Sequence, residues 1–331
     1  MTSLVVGGSG VIGRRLCERL SRSAVGTIAT ARTLVDLPAV PGLRWRSVDL
    51  ATFEDWDELL DGVDTIYHLA WSSIPSSASL DPSRDILENV VGSVRMMEAA
   101  RRAPGVRIVF ASSGGSVYGP ADHLPVSELH PTRPLSAYGI SKLTVEHYLE
   151  KFRLLYGVDG IALRVGNCYG ARQHETRGLG AVTLFARAAL RGEPLKVFGS
   201  GAVVRDFVHV DDVVSAMIAA GTRHNVAGPI NIGSGVGHSL MDVIAKLERV
   251  VGRRLPIERV APRQFDVSAS VLDIRRADER LGWTPAIDLD LGIEMLLSEL
   301  RTELDVQCGS LFSSTAIIPS TSTALKVTQE P

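Results

Sequence analysis

Gly7-Gly8-Ser9-Gly10-Val11-Ile12-Gly13 decides how this chain folds, because it lies between the apolar run Ser3 to Val6 and a stretch, Val11 to Arg22, whose Ile12, Leu16 and Leu20 share one helical face. A strand that ends in glycines and opens straight into a helix lets the backbone approach a bound anion closely. The start of that helix offers unpaired N–H groups and partial positive charge. Gly7, Gly10 and Gly13 keep the spacing G-x-x-G-x-x-G, so the segment reads as the pyrophosphate cradle of a dinucleotide site.

Further apolar runs at Gly26 to Thr30, Thr65 to Ala70 and Arg107 to Ser112 alternate with helical patterns at Glu54 to Leu60 and Arg84 to Ala103. This is the pattern of buried parallel strands joined by crossover helices. Another helix runs from about Ser136 to Tyr156, and Gly160 to Val165 is the next strand. The expected fold is α/β, a Rossmann-type doubly wound parallel sheet over residues 1–165. A smaller C-terminal α/β substrate lobe is expected over 166–305, partly interleaved with the first domain, with isolated strands at Leu195 to Phe198 and Pro229 to Ile232. From about Val306 the chain turns to Ser, Thr and Pro without periodicity, which predicts a disordered tail to Pro331.

Composition narrows the function. With 331 residues, 45% hydrophobic and 22% charged, the chain can bury a large core. A net charge of −2 leaves no basic stripe for nucleic acid or an anionic membrane, and no apolar stretch approaches the roughly 18 residues of a membrane span. Cys17, Cys168 and Cys308 are too few and too scattered for a disulfide framework or a metal site. Asp211 and Asp212 precede an apolar helix, Val213 to Ala220, and read as its acidic first turn rather than as metal ligands. A cytoplasmic protein with no metal, nucleic-acid or membrane partner is expected.

Chemistry enters at Tyr138-Gly139-Ile140-Ser141-Lys142, where a phenol and an ammonium stand at i and i+4 on one helix face. The Lys142 charge is expected to favour the Tyr138 phenolate and to bring a phenol pKa of about 10 toward neutrality, as a general base requires.

Several segments follow in the order seen in extended short-chain dehydrogenases: the glycine loop, His68-Leu69-Ala70, Asn89-Val90-Val91-Gly92-Ser93, Ser112-Ser113 before Val117-Tyr118-Gly119, and Tyr138-x-x-x-Lys142. Within that superfamily the chain most resembles the nucleotide-sugar epimerases and dehydratases, particularly the UDP-glucose 4-epimerase group. Downstream, Arg164-Val165-Gly166-Asn167-Cys168-Tyr169-Gly170, Phe198-Gly199-x-Gly201 with Arg205-Asp206, and Arg263-Gln264-Phe265-Asp266 resemble that group's substrate elements.

The resemblance implies C4 epimerisation by transient oxidation with bound NAD, Tyr138 and Lys142 being catalytic. It implies cofactor contacts from Gly7, Gly10, Val11, Ile12, Gly13, Arg32, Asp49, Leu50, Ala70 and Asn89, besides Tyr138 and Lys142. It assigns the nucleotide-sugar substrate to Asn167, Phe198, Arg205, Arg263 and Asp266. Ser270 falls where some relatives carry a large aromatic, so a small side chain there leaves N-acetylated and uronic sugars open.

Three departures qualify these expectations. Gly114 stands where related epimerases carry a catalytic Ser or Thr, leaving Ser113 or Ser116 to supply the hydroxyl; Ser116 is preferred. The second strand ends Ala31-Arg32 without the acid that usually holds the cofactor ribose, so NADP is the alternative cofactor. No acidic pair occurs in Ser112 to Gly115, which argues against dehydration. The competing functions are an NADPH-dependent reductase of a nucleotide-linked 4-keto-6-deoxy sugar and a non-catalytic nucleotide sensor. A homodimer through the helices Arg84 to Ala103 and Ser136 to Tyr156 is implied by the family.

Overall fold

The computed structural model describes residues 1–23, 26–35, 37–38, 40–171, 180–262 and 267–313. In chain order the first half contains β1 (Thr2–Val6), α1 (Val11–Arg22), β2 (Gly26–Ala31), β3 (Leu43–Ser47), α2 (Trp56–Leu59), β4 (Thr65–His68), α3 (Pro75–Leu80), α4 (Pro82–Asp85), α5 (Gly92–Arg102), β5 (Arg107–Ser113), α6 (Ala137–Tyr156) and β6 (Asp159–Val165). The second half contains β7 (Asn167–Tyr169), α7 (Ala181–Arg191), β8 (Leu195–Phe198), β9 (Val204–His209), α8 (Val210–Thr222), β10 (Gly228–Ile232), β11 (Gly237–Ser239), α9 (Leu240–Val251), β12 (Ile257–Val260), β13 (Ala269–Ser270), α10 (Arg275–Leu281) and α11 (Leu289–Ser313).

Seven strands form one parallel sheet in the order β3-β2-β1-β4-β5-β6-β10. The strand order reverses between β1 and β4, and ligands of such sheets bind in the crevice at that switch point. The expected Rossmann-type fold is therefore present. Its central strands are buried on both faces, as β4 with four buried residues illustrates. β3 was not legible as a strand because Leu43-Arg44-Trp45-Arg46-Ser47 is a charged edge with no fully buried residue; such charge protects a sheet edge.

The sheet carries one core on each face. Leu4, Ile66, Met96, Phe110 and Phe152 pack on one side, and Leu16, Val109, Leu163, Val213 and Met217 on the other. A third core around Phe185, Leu195, Val243, Leu247 and Leu296 belongs to the C-terminal lobe. The lobe does not simply follow residue 165. The α8 residues Val213 and Met217 pack under the Rossmann sheet, and β10 completes its edge beside β6.

Between α4 and α5 the helix continues through a π-helical stretch, Ile86–Val91, so one widened helix covers the expected span. π-Bulges of this kind recur at functional sites, and here the stretch buries Asn89 completely. α11 runs on to Ser313, past the Val306 position at which the sequence suggested that regular structure ends; residues 314–331 lie outside the described residues. Among the described residues no helix is long and apolar enough to cross a membrane.

Candidate active site

A cavity of about 600 Å³ runs from the glycine loop, past the C-terminal ends of β1, β4 and β5, to the lobe. Its first section is built by backbone. Gly7 adopts φ +94°, and a Cβ there would lie 2.6 Å from the Ala70 nitrogen, so only glycine lets the turn after β1 pass the end of β4. The loop is held by Gly8 N–H donating to Thr30 O at 2.8 Å and Gly7 N–H to Thr30 Oγ1 at 3.2 Å. α1 begins at Gly10 with no side-chain cap and no acidic residue in its first turn. Its first N–H groups and positive dipole end are thus left for an external anion. Val11, Ile12, Gly13, Arg32, Asp49, Leu50, Ala70 and Asn89 line the same cavity, so the residues present fit a dinucleotide. Ile12 is only half-buried and faces this cavity, whereas Leu16 and Leu20 enter the core as expected.

The chemical centre is carried by α6 and the end of β5. Ser136 caps α6, its Oγ accepting from Gly139 N at 3.2 Å, which fixes the turn that bears Tyr138. Lys142 is 3% exposed and its Nζ donates to Ala111 O at 2.8 Å. Nζ also stands 3.6 Å from the centroid of the Trp71 ring and 5.6 Å from that of Tyr138.

This placement corrects the expected pKa logic. Burial pushes the Tyr138 phenol up to about 12, opposed by a hydrogen bond with Ser113 and reinforced by Asp85. Burial also holds Lys142 well below the ordinary lysine range, against the pull of Asp85 and Glu146. Without a ligand, desolvation dominates at Tyr138 and the phenol keeps its proton at neutral pH.

Gly114 has a physical reason: a Cβ there would meet Leu272 Cδ1 at 2.6 Å and Arg164 O at 3.0 Å. A serine cannot occupy that position without displacing the small core formed by Val117, Tyr118, Val126 and Leu272. Of the two alternative hydroxyls, Ser113 is the one hydrogen-bonded to Tyr138. Ser116 lines the same cavity, so the hydrogen bond favours Ser113 over the preferred Ser116 for the hydroxyl. Beneath the site His68 bonds Ser93 Oγ at 2.7 Å, and burial, then the Lys142 charge, lower its pKa to about 3. Buried and neutral, it joins β4 to α5. Asn89 Oδ1 accepts from Ser72 N at 2.8 Å and shapes the loop after β4, while Ser73 donates to Asp85.

On the lobe side, β7 and β9 pair in parallel, Asn167 opposite Phe207, so Asn167 and Arg205 both reach the cavity, joined by Phe198 from the end of β8. Arg205 donates through Nη1 to Val267 O at 2.8 Å. Its neighbour Asp206 is no surface partner for it: buried, it accepts from Ser234 N at 2.6 Å, Ser234 Oγ at 2.7 Å, Leu272 N at 3.1 Å and Gly235 N at 3.2 Å. Arg263 and Asp266 lie outside the described residues.

The structure does not bring Ser270 to the cavity: it pairs with Arg205 in the β13–β9 register, is 9% exposed and is not among the lining residues, whereas Val267 is the one described residue of that segment that lines it. A short strand register, invisible in the spacing, makes the difference. Asp211 and Asp212 form the first turn of α8, where Asp211 pairs with Arg15 at 2.6 Å and Asp212 accepts from Ala286 N and Ile287 N at 3.0 Å each. Among the described residues no three His, Cys, Asp or Glu come together as metal ligands. The sequence reading missed Trp71, Ser72 and Ser73, although they directly follow His68-Leu69-Ala70 at the end of β4, where open α/β sheets place ligands.

Comparison with known proteins agrees with this geometry. Residues 3–233 match the pattern of the NAD dependent epimerase/dehydratase family. The chain is 35% identical over 320 residues to the UDP-glucose 4-epimerase of Mycolicibacterium smegmatis, covering 92% of this chain and 99% of that one. Its fold superposes on the Thermotoga maritima UDP-glucose 4-epimerase solved with UDP-glucose, with TM-score 0.87 and 31% identity over 92% of this chain and 100% of that one. The Thermus thermophilus UDP-glucose 4-epimerase solved with NAD gives TM-score 0.84 and 30% identity over 91% and 99%. A family pattern matched over residues 3–233, and relatives 31% and 35% identical along nearly the whole chain, show that this chain belongs to the NAD dependent epimerase/dehydratase family.

Proposed function

We propose that the protein is a nucleotide-sugar 4-epimerase of the UDP-glucose/UDP-galactose type that works with bound NAD. One observation carries this reading: the Ser113–Tyr138–Lys142 group opens into the same cavity as the glycine cradle on one side and Asn167, Phe198 and Arg205 on the other. A nicotinamide dinucleotide held by Gly7, Gly10 and the start of α1 supplies a hydride acceptor and, in its oxidised form, positive charge within the cavity. Arg205 holds the substrate diphosphate through charge-assisted bonds and Asn167 contributes a polar contact. As the phenolate, which the positive charge of the oxidised cofactor would favour over the protonated form of the ligand-free protein, Tyr138 takes the proton of the sugar 4-hydroxyl, and Ser113 steadies the developing oxyanion. The Lys142 charge favours the phenolate form in which Tyr138 accepts that proton and to which it reverts on returning it. The lobe contacts keep the diphosphate clamped while the keto sugar turns its other face.

The test mixes the purified protein with UDP-glucose or UDP-galactose, without added cofactor, and follows the sugar by NMR. Interconversion is expected; none of either sugar, even with NAD supplied, would remove the reading. The assignment of the hydroxyl is tested separately. Ser113→Ala is expected to lower kcat by about 10-fold to 100-fold, one lost hydrogen bond being worth roughly 1–3 kcal/mol. Ser116→Ala should change it less than threefold, and the reverse order would return the role to Ser116.

A second reading rests on Arg32. It lies exposed where β2 ends and lines the cavity, with Glu88 near enough to feel its charge. This is the arrangement that suits a 2′-phosphate, and hence an NADPH-dependent reductase of a 4-keto-6-deoxy sugar. Such an enzyme exchanges its cofactor each turnover, so protein purified with stoichiometric NAD that oxidises no NADPH excludes it.

The same reading makes the protein a cytoplasmic homodimer. Leu80, Ile86, Leu87, Leu154 and Leu155, 48–87% exposed on α3, the π-helical stretch and α6, offer the apolar surface for it. Sedimentation equilibrium at a monomer mass would count against the dimer.

A further inference from the structure

Three aromatic rings surround the Lys142 ammonium. Nζ is 3.6 Å from the Trp71 centroid, 4.9 Å from that of Phe110 and 5.6 Å from that of Tyr138. Trp71 also meets the Tyr138 ring edge-on, with centroids 6.0 Å apart and planes at 74°. It therefore contacts both members of the Tyr–Lys pair. The Trp71 indole N–H is buried and has no hydrogen-bond partner among the described residues. Packing and the cation place the ring; a polar anchor does not.

We propose that Trp71 is a positioning residue of the reaction: its ring face holds the Lys142 ammonium against the Ala111 carbonyl and keeps it charged inside the dry cavity wall. The proposal rests on the reading of Lys142 as the charge that supports Tyr138. Four titratable groups face Lys142. Asp85 comes from α4, Glu146 and Tyr138 from its own helix, and His68 from β4. His68 is neutral, and Tyr138 keeps its proton. Both carboxylates favour the ammonium at a distance, but their hydrogen bonds go to other groups: Asp85 Oδ1 to Ser73 and Asn89, with Oδ2 unpartnered among the described residues, and Glu146 to Arg164 and Ser112. Direct contact with the ammonium thus comes from the Ala111 carbonyl and the Trp71 face. A cation over an aromatic face is attracted by the ring quadrupole, most strongly when desolvated, and more by Trp than by Phe.

The chain has five lysines, Lys142, Lys151, Lys196, Lys246 and Lys326, so labelling every lysine with carbon-13 at Cε gives five resonances. Lys142→Arg assigns the one that matters. In the unaltered protein the Lys142 ε-methylene is expected upfield of the other four, shifted by the Trp71 ring current. In Trp71→Leu the upfield shift should vanish and the titration midpoint should fall by about one pKa unit. Trp71→Phe should lie between. The alkaline limb of kcat should move to lower pH in the same order, because the ammonium is then lost sooner as pH rises. A Lys142 resonance grouped with the other four, or midpoints equal in all three proteins, would overturn the proposal. Should Trp71→Leu fail to fold, the wild-type shift and Trp71→Phe still decide it. The NMR midpoint needs no sugar substrate, so absence of epimerisation would sink the functional reading without touching this measurement.

Discussion

Tyr138→Phe is expected to lower kcat by about 10²-fold to 10⁴-fold, the range for removing a positioned general acid or base. The substitution deletes one oxygen and keeps the ring, so the edge contact with Trp71 at 6.0 Å is retained. KM and thermal stability should stay close to those of the unaltered protein, because Asn167, Phe198 and Arg205 are untouched. The measurement is kcat and KM for UDP-galactose conversion beside a thermal melt. A loss below about tenfold would mean that another group, or water, carries the proton. A spectroscopic counterpart follows from the raised phenol pKa. With the phenol pushed up to about 12, Tyr138 contributes no phenolate absorbance near neutrality in the ligand-free protein.

The second large effect is structural and falls on the cradle. Gly7→Ala places a Cβ on a backbone at φ +94°, 2.6 Å from the Ala70 nitrogen. Left-handed strain of about 1–2 kcal/mol and overpacking of about 1–3 kcal/mol combine to roughly 2–5 kcal/mol. The turn after β1 and the end of β4 must then separate, and bound dinucleotide should be lost on purification. Gly62→Ala is the control. Gly62 has φ +69° with nothing within 4 Å of a Cβ, so only the strain is incurred and the cofactor should stay. Chemical unfolding and nucleotide analysis of both variants check this, and equal cofactor retention in the two would contradict the tight approach at Gly7.

The cradle was legible because its signals are local. Glycine spacing, an apolar strand before it and a helical face after it are all set by neighbours within a few residues. The Tyr138–Lys142 pair was legible for the same reason, since i and i+4 share a helix face. What such spacing does not contain is burial. In the ligand-free protein the Tyr138 phenol is pushed up rather than down, because both side chains are packed into the cavity wall and desolvation is the largest influence on each. Ser116 was preferred over Ser113 because a turn of unknown shape separates β5 from α6. Ser270 lies off the cavity lining because a two-residue pairing with β9 sets its environment. β3 escaped notice as a charged edge, and Trp71 because its importance comes from a lysine 71 positions downstream that folds against its ring.

On the proposed 4-epimerase reading, the sugar is oxidised and reduced at C4 within one site, without exchange of the hydride. The most direct test of that reading uses UDP-galactose deuterated at C4 and protein purified without added cofactor. The account predicts UDP-glucose that keeps the deuterium at C4, with none released to water and none appearing in NAD added to the solution. Deuterium lost to solvent, or transferred to the added NAD in step with turnover, would contradict it.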